Sequence, residues 1–357
     1  MTEIKNLIEI SKYAGERFDL VQAAGGNSSV KLKSDEMLIK ASGFLLSDIS
    51  ENIGYSRVVT SSVAKIVREK KILELVDKKE RELKASQFLK NSTIDKKNRP
   101  SIETLLHSLL LKYTLHTHSI VVNMIVVNKD WKETLLSVFE NESVAFVDYE
   151  TPGIELAISL DKELRKFKKI PKIIILQNHG LIVTSNNKNE IKKLNELVVK
   201  KIEDYLKIDM SRYKLTNHIS KLFSRIGLNK NLTYLSEDDL LNKLIKDNKT
   251  LFNQIPLCPD TFVYCGEIPC FVNNLTETSQ LTNYLHEYDH PPKIIIYNNK
   301  IFVRAISIKK AREIEEVLKF HIMVLLNNQE KQLNYLEKKE LKYLSSWEAE
   351  KFRQNKI

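Results

Sequence analysis

A chain of 357 residues exceeds one average domain and can bury a substantial core. With 42% hydrophobic residues it has no apolar stretch long enough to cross a membrane and no signal-peptide pattern, so a cytoplasmic protein without a membrane partner is expected. The net charge of +10 comes from lysines spread among glutamates rather than from an arginine-rich arm, which argues against a nucleic-acid partner but favours approach of a small anion.

Residues 1–18 pattern as an amphipathic helix. Ala24-Gly25-Gly26-Asn27-Ser28-Ser29 then sets two glycines and three small polar side chains ahead of the strand-like Val30-Lys31-Leu32. Backbone N–H groups and hydroxyls of such a loop suit an anion, although a tight turn before a hairpin explains the same residues. A second small-residue turn, Lys40-Ala41-Ser42-Gly43, adds a cation, a hydroxyl and a glycine amide. In Arg99-Pro100-Ser101-Ile102-Glu103-Thr104-Leu105-Leu106-His107, serine with glutamate close behind and a leucine-rich run after it marks a helix start. Glu103 is expected in the first turn, where the helix dipole favours its charged form.

His116 and His118, in Leu115-His116-Thr117-His118-Ser119, precede the β-branched run 120–127 and are expected on or entering a strand, where alternate residues share a face. His179, in Gln177-Asn178-His179-Gly180-Leu181, follows the short apolar run 172–176, expected as a buried strand. Gly180 permits a sharp turn that presents the ring at the strand end. One histidine beside an apolar run is ordinarily a core or surface residue. Three neutral imidazoles converging with an open position describe a catalytic zinc site, and a His-x-His pair chelates from alternate strand positions without a special loop.

The amphipathic stretch 188–208 closes an α/β layered domain over residues 1–210. A helical connector is expected over 211–250 and a small α/β domain over 251–330. Its strand signals are Thr261-Phe262-Val263-Tyr264, Pro269-Cys270-Phe271-Val272, 293–297 and 301–304, with a long helix from Ile308 and a charged C-terminal helix over 331–357. No internal repeat is apparent. Cys258, Cys265 and Cys270 lack the Cys-x-x-Cys spacing of structural zinc and read as reduced thiols. His286-Glu287-Tyr288-Asp289-His290 fits the zinc-peptidase pattern, which needs both histidines one turn apart on a rigid helix; Pro291 and Pro292 disfavour that and mark a helix end. No Gly-x-Gly-x-x-Gly occurs, so no dinucleotide-binding half is expected.

Taken in order, Gly26-Asn27-Ser28-Ser29, Ala41-Ser42-Gly43, Pro100-Ser101-Ile102-Glu103 with His107 four residues on, His116-Thr117-His118, Pro152-Gly153-Ile154-Glu155-Leu156-Ala157 and Asn178-His179-Gly180-Leu181 resemble the class II aldolase/adducin family. That family includes the zinc-dependent fuculose-phosphate and rhamnulose-phosphate aldolases and ribulose-phosphate 4-epimerase. The resemblance covers about residues 1–210. Residues 101–118 and the ending, 343–353, are most similar to a longer subgroup containing the aldolase part of rhamnulose-phosphate aldolase/dehydrogenase fusions.

The resemblance implies that His116, His118 and His179 hold one Zn2+ and that Glu103 is the acid/base beside it. It also implies that Asn27, Ser42, Gly43 and Ser101 bind the substrate phosphate, and Gly26, Ser28 and Lys40 of the same two turns join them as candidates. Ile102 stands where the fuculose-phosphate enzyme has a second serine, which removes one phosphate ligand. His107 is assigned to support or packing, and Tyr149 is the candidate tyrosine completing the site. The implied activity is a zinc-dependent lyase that cleaves or forms a carbon–carbon bond in a phosphorylated ketose or related metabolite through an enediolate, in a homo-oligomer with sites near subunit boundaries. The alternatives are a same-family epimerase, dehydratase or decarboxylase, and a non-catalytic adducin-like binding protein.

Overall fold

The computed structural model describes residues 2–95 and 97–346. These fall into two compact units divided between Arg212 and Tyr213. In the first unit the chain runs α1 (Thr2–Gly15), β1 (Asn27–Lys31), β2 (Glu36–Lys40), β3 (Tyr55–Val59), α2 (Thr60–Ile66), α3 (Lys70–Leu73), α4 (Lys78–Asn91), α5 (Thr104–Ser108) and β4 (Tyr113–Thr117). It continues through α6 (Ile120–Val126), α7 (Trp131–Val138), β5 (Val144–Val147), α8 (Ile154–Leu164), β6 (Ile173–Leu176), β7 (Gly180–Ser185) and α9 (Lys188–Leu206).

The strands form one sheet in the order β3-β2-β1-β4-β7-β6-β5, antiparallel except for the β5/β6 pair. Side chains alternate across a strand, so each buried strand feeds two cores. Tyr113, Leu115, Ile173, Ile175, Leu181 and Val183 pack with α1, α6 and α9, whereas Ile174, Leu176 and Ile182 pack with α2, α5 and α8 on the other face. This is a layered α/β/α domain. The parity leaves His116, in the central strand β4, on the α5 face.

Two local expectations are corrected. The run after the histidines is not a strand but α6; its buried residues Val121, Val122, Ile125 and Val126 recur at helical spacing and leave Asn123 and Met124 outside the core. The strand holding His116 comes before the pair, where Thr114 and Thr184 share a hydroxyl hydrogen bond of 2.9 Å across β4 and β7. Glu103 stands one position earlier than expected, as the cap of α5, with its N–H donated to Ser101 Oγ at 3.3 Å.

The second unit contains α10 (Ser211–Ser224), β8 (Leu232–Leu235), α11 (Asp239–Asp247), α12 (Pro259–Cys265), β9 (Cys270–Phe271), α13 (Ser279–Tyr288), β10 (Ile294–Tyr297), β11 (Lys300–Ala305), α14 (Ile308–Leu326) and α15 (Lys338–Ser346). Its sheet runs β8-β11-β10-β9. The segment 211–250 is therefore no mere helical connector, because β8 is an integral strand of this sheet. Thr261 to Tyr264 are helical rather than extended: Pro259, with φ fixed near the helical value, starts α12. Phe262 of that helix packs against Leu341 and Leu344 of α15. Of the C-terminal stretch compared with the longer subgroup, residues 347–353 lie outside the described residues. Among the described residues no helix is long and apolar enough to cross a membrane.

One close approach fixes the β6/β7 hairpin. A β-carbon at Gly180, which has φ +156°, would collide with the Thr117 carbonyl oxygen. Gly180→Ala is therefore expected to lower stability by about 1–3 kcal/mol, the usual cost of overpacking. An unchanged urea midpoint would show that the two strands do not meet this closely.

Candidate metal centre

Three elements bring the histidines together. His116 comes from β4 and stands opposite Asn27 of β1 on one side and Ile182 of β7 on the other. His118 follows just beyond the strand end. His179 sits in the three-residue connection between the last paired positions of β6 and β7, after Asn178 in a left-handed conformation (φ 52°). The Nε2 atoms of His118 and His179 lie 3.1 and 3.2 Å from Nε2 of His116. Glu103 Oε1 is 3.2 Å from His116 Nε2 and 3.3 Å from His179 Nε2. All four donor atoms fall within 4.8 Å of one another.

These spacings fit a metal better than a hydrogen-bond network. Ligands about 2.0–2.1 Å from a tetrahedral zinc stand roughly 3.3 Å apart. His116 Nδ1 donates to the Leu181 carbonyl at 3.0 Å, so its Nε2 points a lone pair inward, as a metal-ligating imidazole does. Burial, reinforced by the neighbouring His116 and His179, pushes His118 down to about 3, leaving a neutral ring. Burial raises the Glu103 carboxyl, but the two facing imidazoles outweigh it and hold the group well below its ordinary range.

Support comes from behind. Asn123, the polar interruption in the apolar run 120–127, donates from Nδ2 to the His179 carbonyl at 3.2 Å and to the Ser119 carbonyl at 3.1 Å. A β-carbon at Gly25 would lie 2.7 Å from His118 Nδ1, so this glycine makes room for the ring. His107 is fully buried, with Nδ1 2.7 Å from Ser29 Oγ, and it supports α5 rather than joining the four donors. Burial pushes its ring down to about 3. Sequence reasoning misses Gly25, Asn123 and Ser29 as parts of the site; the signal for Asn123 is an amide in an apolar stretch.

The anion candidates divide. Asn27 is buried beside His116, with Oδ1 accepting the Ser28 N–H at 2.8 Å and Nδ2 lacking a hydrogen-bond partner among the described residues. Loop 99–101 runs beside the β2 end: Ser42 N–H donates to the Arg99 carbonyl at 2.9 Å, and Ser101 N–H to the Lys40 carbonyl at 3.4 Å. Ser42 and Gly43 are exposed in that turn. Lys40 is buried, its Nζ donating to the Ala24 carbonyl at 3.1 Å, and burial lowers its pKa against the opposing pull of Glu103 and Asp48. Gly26 packs against the backbone of His116, where a β-carbon would be 2.9 Å from the carbonyl oxygen. Ser28 is corrected: strand parity turns its hydroxyl to the opposite face, 2.7 Å from Ser11 Oγ of α1. Tyr149 lies beyond β5, 53% exposed, with its N–H on Gln177 Oε1; among the described residues its ring has no contact with the four donors.

The competing His-Glu-x-x-His motif is broken as the prolines imply. Helix α13 ends at Tyr288, Asp289 is left-handed, and His290 pairs instead with Glu267 at 2.5 Å. Cys265 and Cys270 are buried free thiols, both pushed by burial to about 12.

The family model described as "Class II Aldolase and Adducin N-terminal domain" matches residues 5–206. The chain belongs to the class II aldolase/adducin family. Among solved structures it is similar to an N-terminal class II aldolase domain from Thermoplasma acidophilum, at 25% identity and TM-score 0.47, covering 57% of this chain and 93% of that one. A sugar-phosphate aldolase from Thermotoga maritima matches at 13% identity and TM-score 0.39, covering 58% and 94%. YgbL from Klebsiella pneumoniae, titled a putative aldolase/epimerase/decarboxylase, matches at 16% identity and TM-score 0.40, covering 57% and 87%. No curated protein matches the chain.

Elemental analysis is expected to find about one divalent metal per chain, because three converging imidazoles hold zinc far better than two. Single alanine changes at His116, His118 or His179 should strip it, while His286→Ala with His290→Ala should not. Metal retained in all three single variants would refute the assignment. In chelator-stripped protein, His107 stays neutral down to about pH 3, whereas in the unfolded chain it protonates near the ordinary histidine value of 6.5. The unfolded state then binds the extra proton across that window, so stability falls as pH drops below 6.5. His107→Asn should flatten this part of a plot of urea midpoint against pH.

Proposed function

We propose that the protein is a zinc-dependent aldolase acting on a phosphorylated ketose or a closely related anionic metabolite. The observation that carries this reading is the four-donor cluster with Glu103 at its edge. A scaffold that had kept only the fold would have no use for three imidazoles and a carboxylate aimed at one point. A divalent cation held by His116, His118 and His179 supplies Lewis-acid stabilisation for negative charge developing on two adjacent substrate oxygens.

The chain's own residues supply the rest. His116, His118 and His179 would hold the cation, and Glu103, with Oε1 3.2 Å from His116 Nε2, would lie beside the reacting hydroxyl of a substrate bound there. Glu103 takes that hydroxyl proton, the carbon–carbon bond breaks, and the electron pair of the bond passes into the enediolate while the hydroxyl oxygen becomes the aldehyde carbonyl. The proton then returns from Glu103 to the enediolate carbon. Both steps use one carboxyl; the facing imidazoles, outweighing burial, keep it ionised and so ready to accept the first proton.

Asn27, Ser42, Gly43 and Ser101 would hold the phosphate, with Lys40 behind them lending positive charge. Asn27 supports this through its buried Nδ2, which has no hydrogen-bond partner among the described residues and stands next to His116 across β1 and β4. Ile102, 39% exposed, offers no hydrogen bond where a serine would, so the pocket has one hydroxyl fewer.

Glu103→Gln is expected to retain metal and fold while losing roughly 10²- to 10⁴-fold in turnover, the range for a positioned acid/base. Ser42→Ala and Ser101→Ala should raise KM for the phosphorylated substrate and leave kcat nearly intact. An unchanged rate for Glu103→Gln in a screen of phosphorylated ketoses removes this residue from the mechanism. Equal turnover of the free sugar removes the phosphate pocket.

A further inference from the structure

The second unit repeats half of the first. Its sheet β8-β11-β10-β9 has the order and directions of β4-β7-β6-β5: antiparallel, antiparallel, parallel. The chain also visits matching elements in the same sequence, β4, α6, β5, α8, β6, β7, α9 in one unit and β8, α11, β9, α13, β10, β11, α14 in the other.

The match extends to individual residues. Pro171-Lys172-Ile173-Ile174-Ile175 enters one hairpin and Pro292-Lys293-Ile294-Ile295-Ile296 the other. Thr184 N–H donates to the Lys172 carbonyl at 2.9 Å, and Arg304 N–H to the Lys293 carbonyl at 2.7 Å. Ile173, Ile175, Leu181 and Val183 share a core with Val121, Val122, Ile125 and Val126. In the same register, Ile294, Ile296, Ile301 and Val303 share one with Leu241, Leu244 and Ile245, with Leu240 packed against it. Asn187 and Ser307 cap the two long helices, each of 19 residues.

The metal positions break this likeness. His116 stands opposite Ile182, and its counterpart opposite Phe302 is Leu235. Two residues on, His118 corresponds to Glu237. Between the last paired positions, β6/β7 has Gln177, Asn178 and His179, whereas β10/β11 has only Asn298 and Asn299, both left-handed at φ 48° and 53° in a tight two-residue turn. The residue missing from the shorter loop is the one after the second asparagine, the place of His179.

We propose that the second unit is a copy of the metal-bearing half of the first, in which the metal site survives as a latent, ligand-stripped position at Leu235, Glu237 and the junction of Asn299 with Lys300. This inference rests on the metal reading of the first unit. The copy keeps its layered cores and carries no imidazole at any of the three places.

Restoring the ligands tests it. In the full chain, Leu235→His, Glu237→His and Lys300→Gly, with a histidine inserted after Asn299, should raise zinc content by about one equivalent per chain. A control with Tyr234→His in place of the two substituted ligands, on the other face of β8, should gain none. If the parent holds no metal yet the graft gains one, the first-unit reading fails and the repeat stands. A graft that is folded by circular dichroism but gains nothing overturns the repeat. Should burying a histidine at position 235 unfold the chain, Glu237→His with the inserted histidine alters only exposed positions and should still add a copper(II) absorption band. Its absence in folded protein overturns the proposal equally.

Discussion

Three imidazole nitrogens and a carboxylate oxygen facing one another inside a protein repel unless something positive sits between them or each is held from behind. Much of the first unit can be read as the means of holding them. The central strand fixes His116, and the Leu181 carbonyl on its far nitrogen selects the ring's tautomer. Asn123 ties the backbone of His179 to the start of α6. Glu103 gains its place from the cap of a short helix whose next turn is anchored through His107 and Ser29. Removing any of these contacts costs geometry at the cluster as well as local stability.

Beside that cluster, two segments of the same unit are tied together. The β2 end and loop 99–101 are joined by backbone hydrogen bonds, so Ser42 and Ser101 are held on two chains tied to each other. Lys40 contributes from below the surface, where burial raises the cost of its charge and strengthens its field on whatever binds above.

Much of this was legible in the sequence because metal ligation depends on spacing. A His-x-His pair next to strand-like residues and an Asn-His-Gly turn point to chelation whatever surrounds them. Errors arose where the deciding information was not local. The run 120–127 is dominated by strand-favouring valine and isoleucine, yet its burial follows helical spacing, a property of the core it meets. Ser28 lay in the right loop on the wrong face, since parity is set by where a strand begins to pair. Glu103 was displaced by one position because Ser101 caps from two residues away. The repeat escaped notice because its two copies share apolar pattern more than identity: Val121, Val122, Ile125 and Val126 became Leu240, Leu241, Leu244 and Ile245. The Pro-Lys-Ile-Ile-Ile entrance to each hairpin is the longest stretch that remains alike.

The ligands differ in how firmly they are tied to the fold. His116 lies within a strand paired on both sides, while His179 rides on a three-residue connection secured by Asn123. A loop tip opens at lower free energy than a central strand. A divalent ion held there would be released from the hairpin side first, because His179 can move with its loop while His116 stays fixed in β4 and His118 just beyond its end.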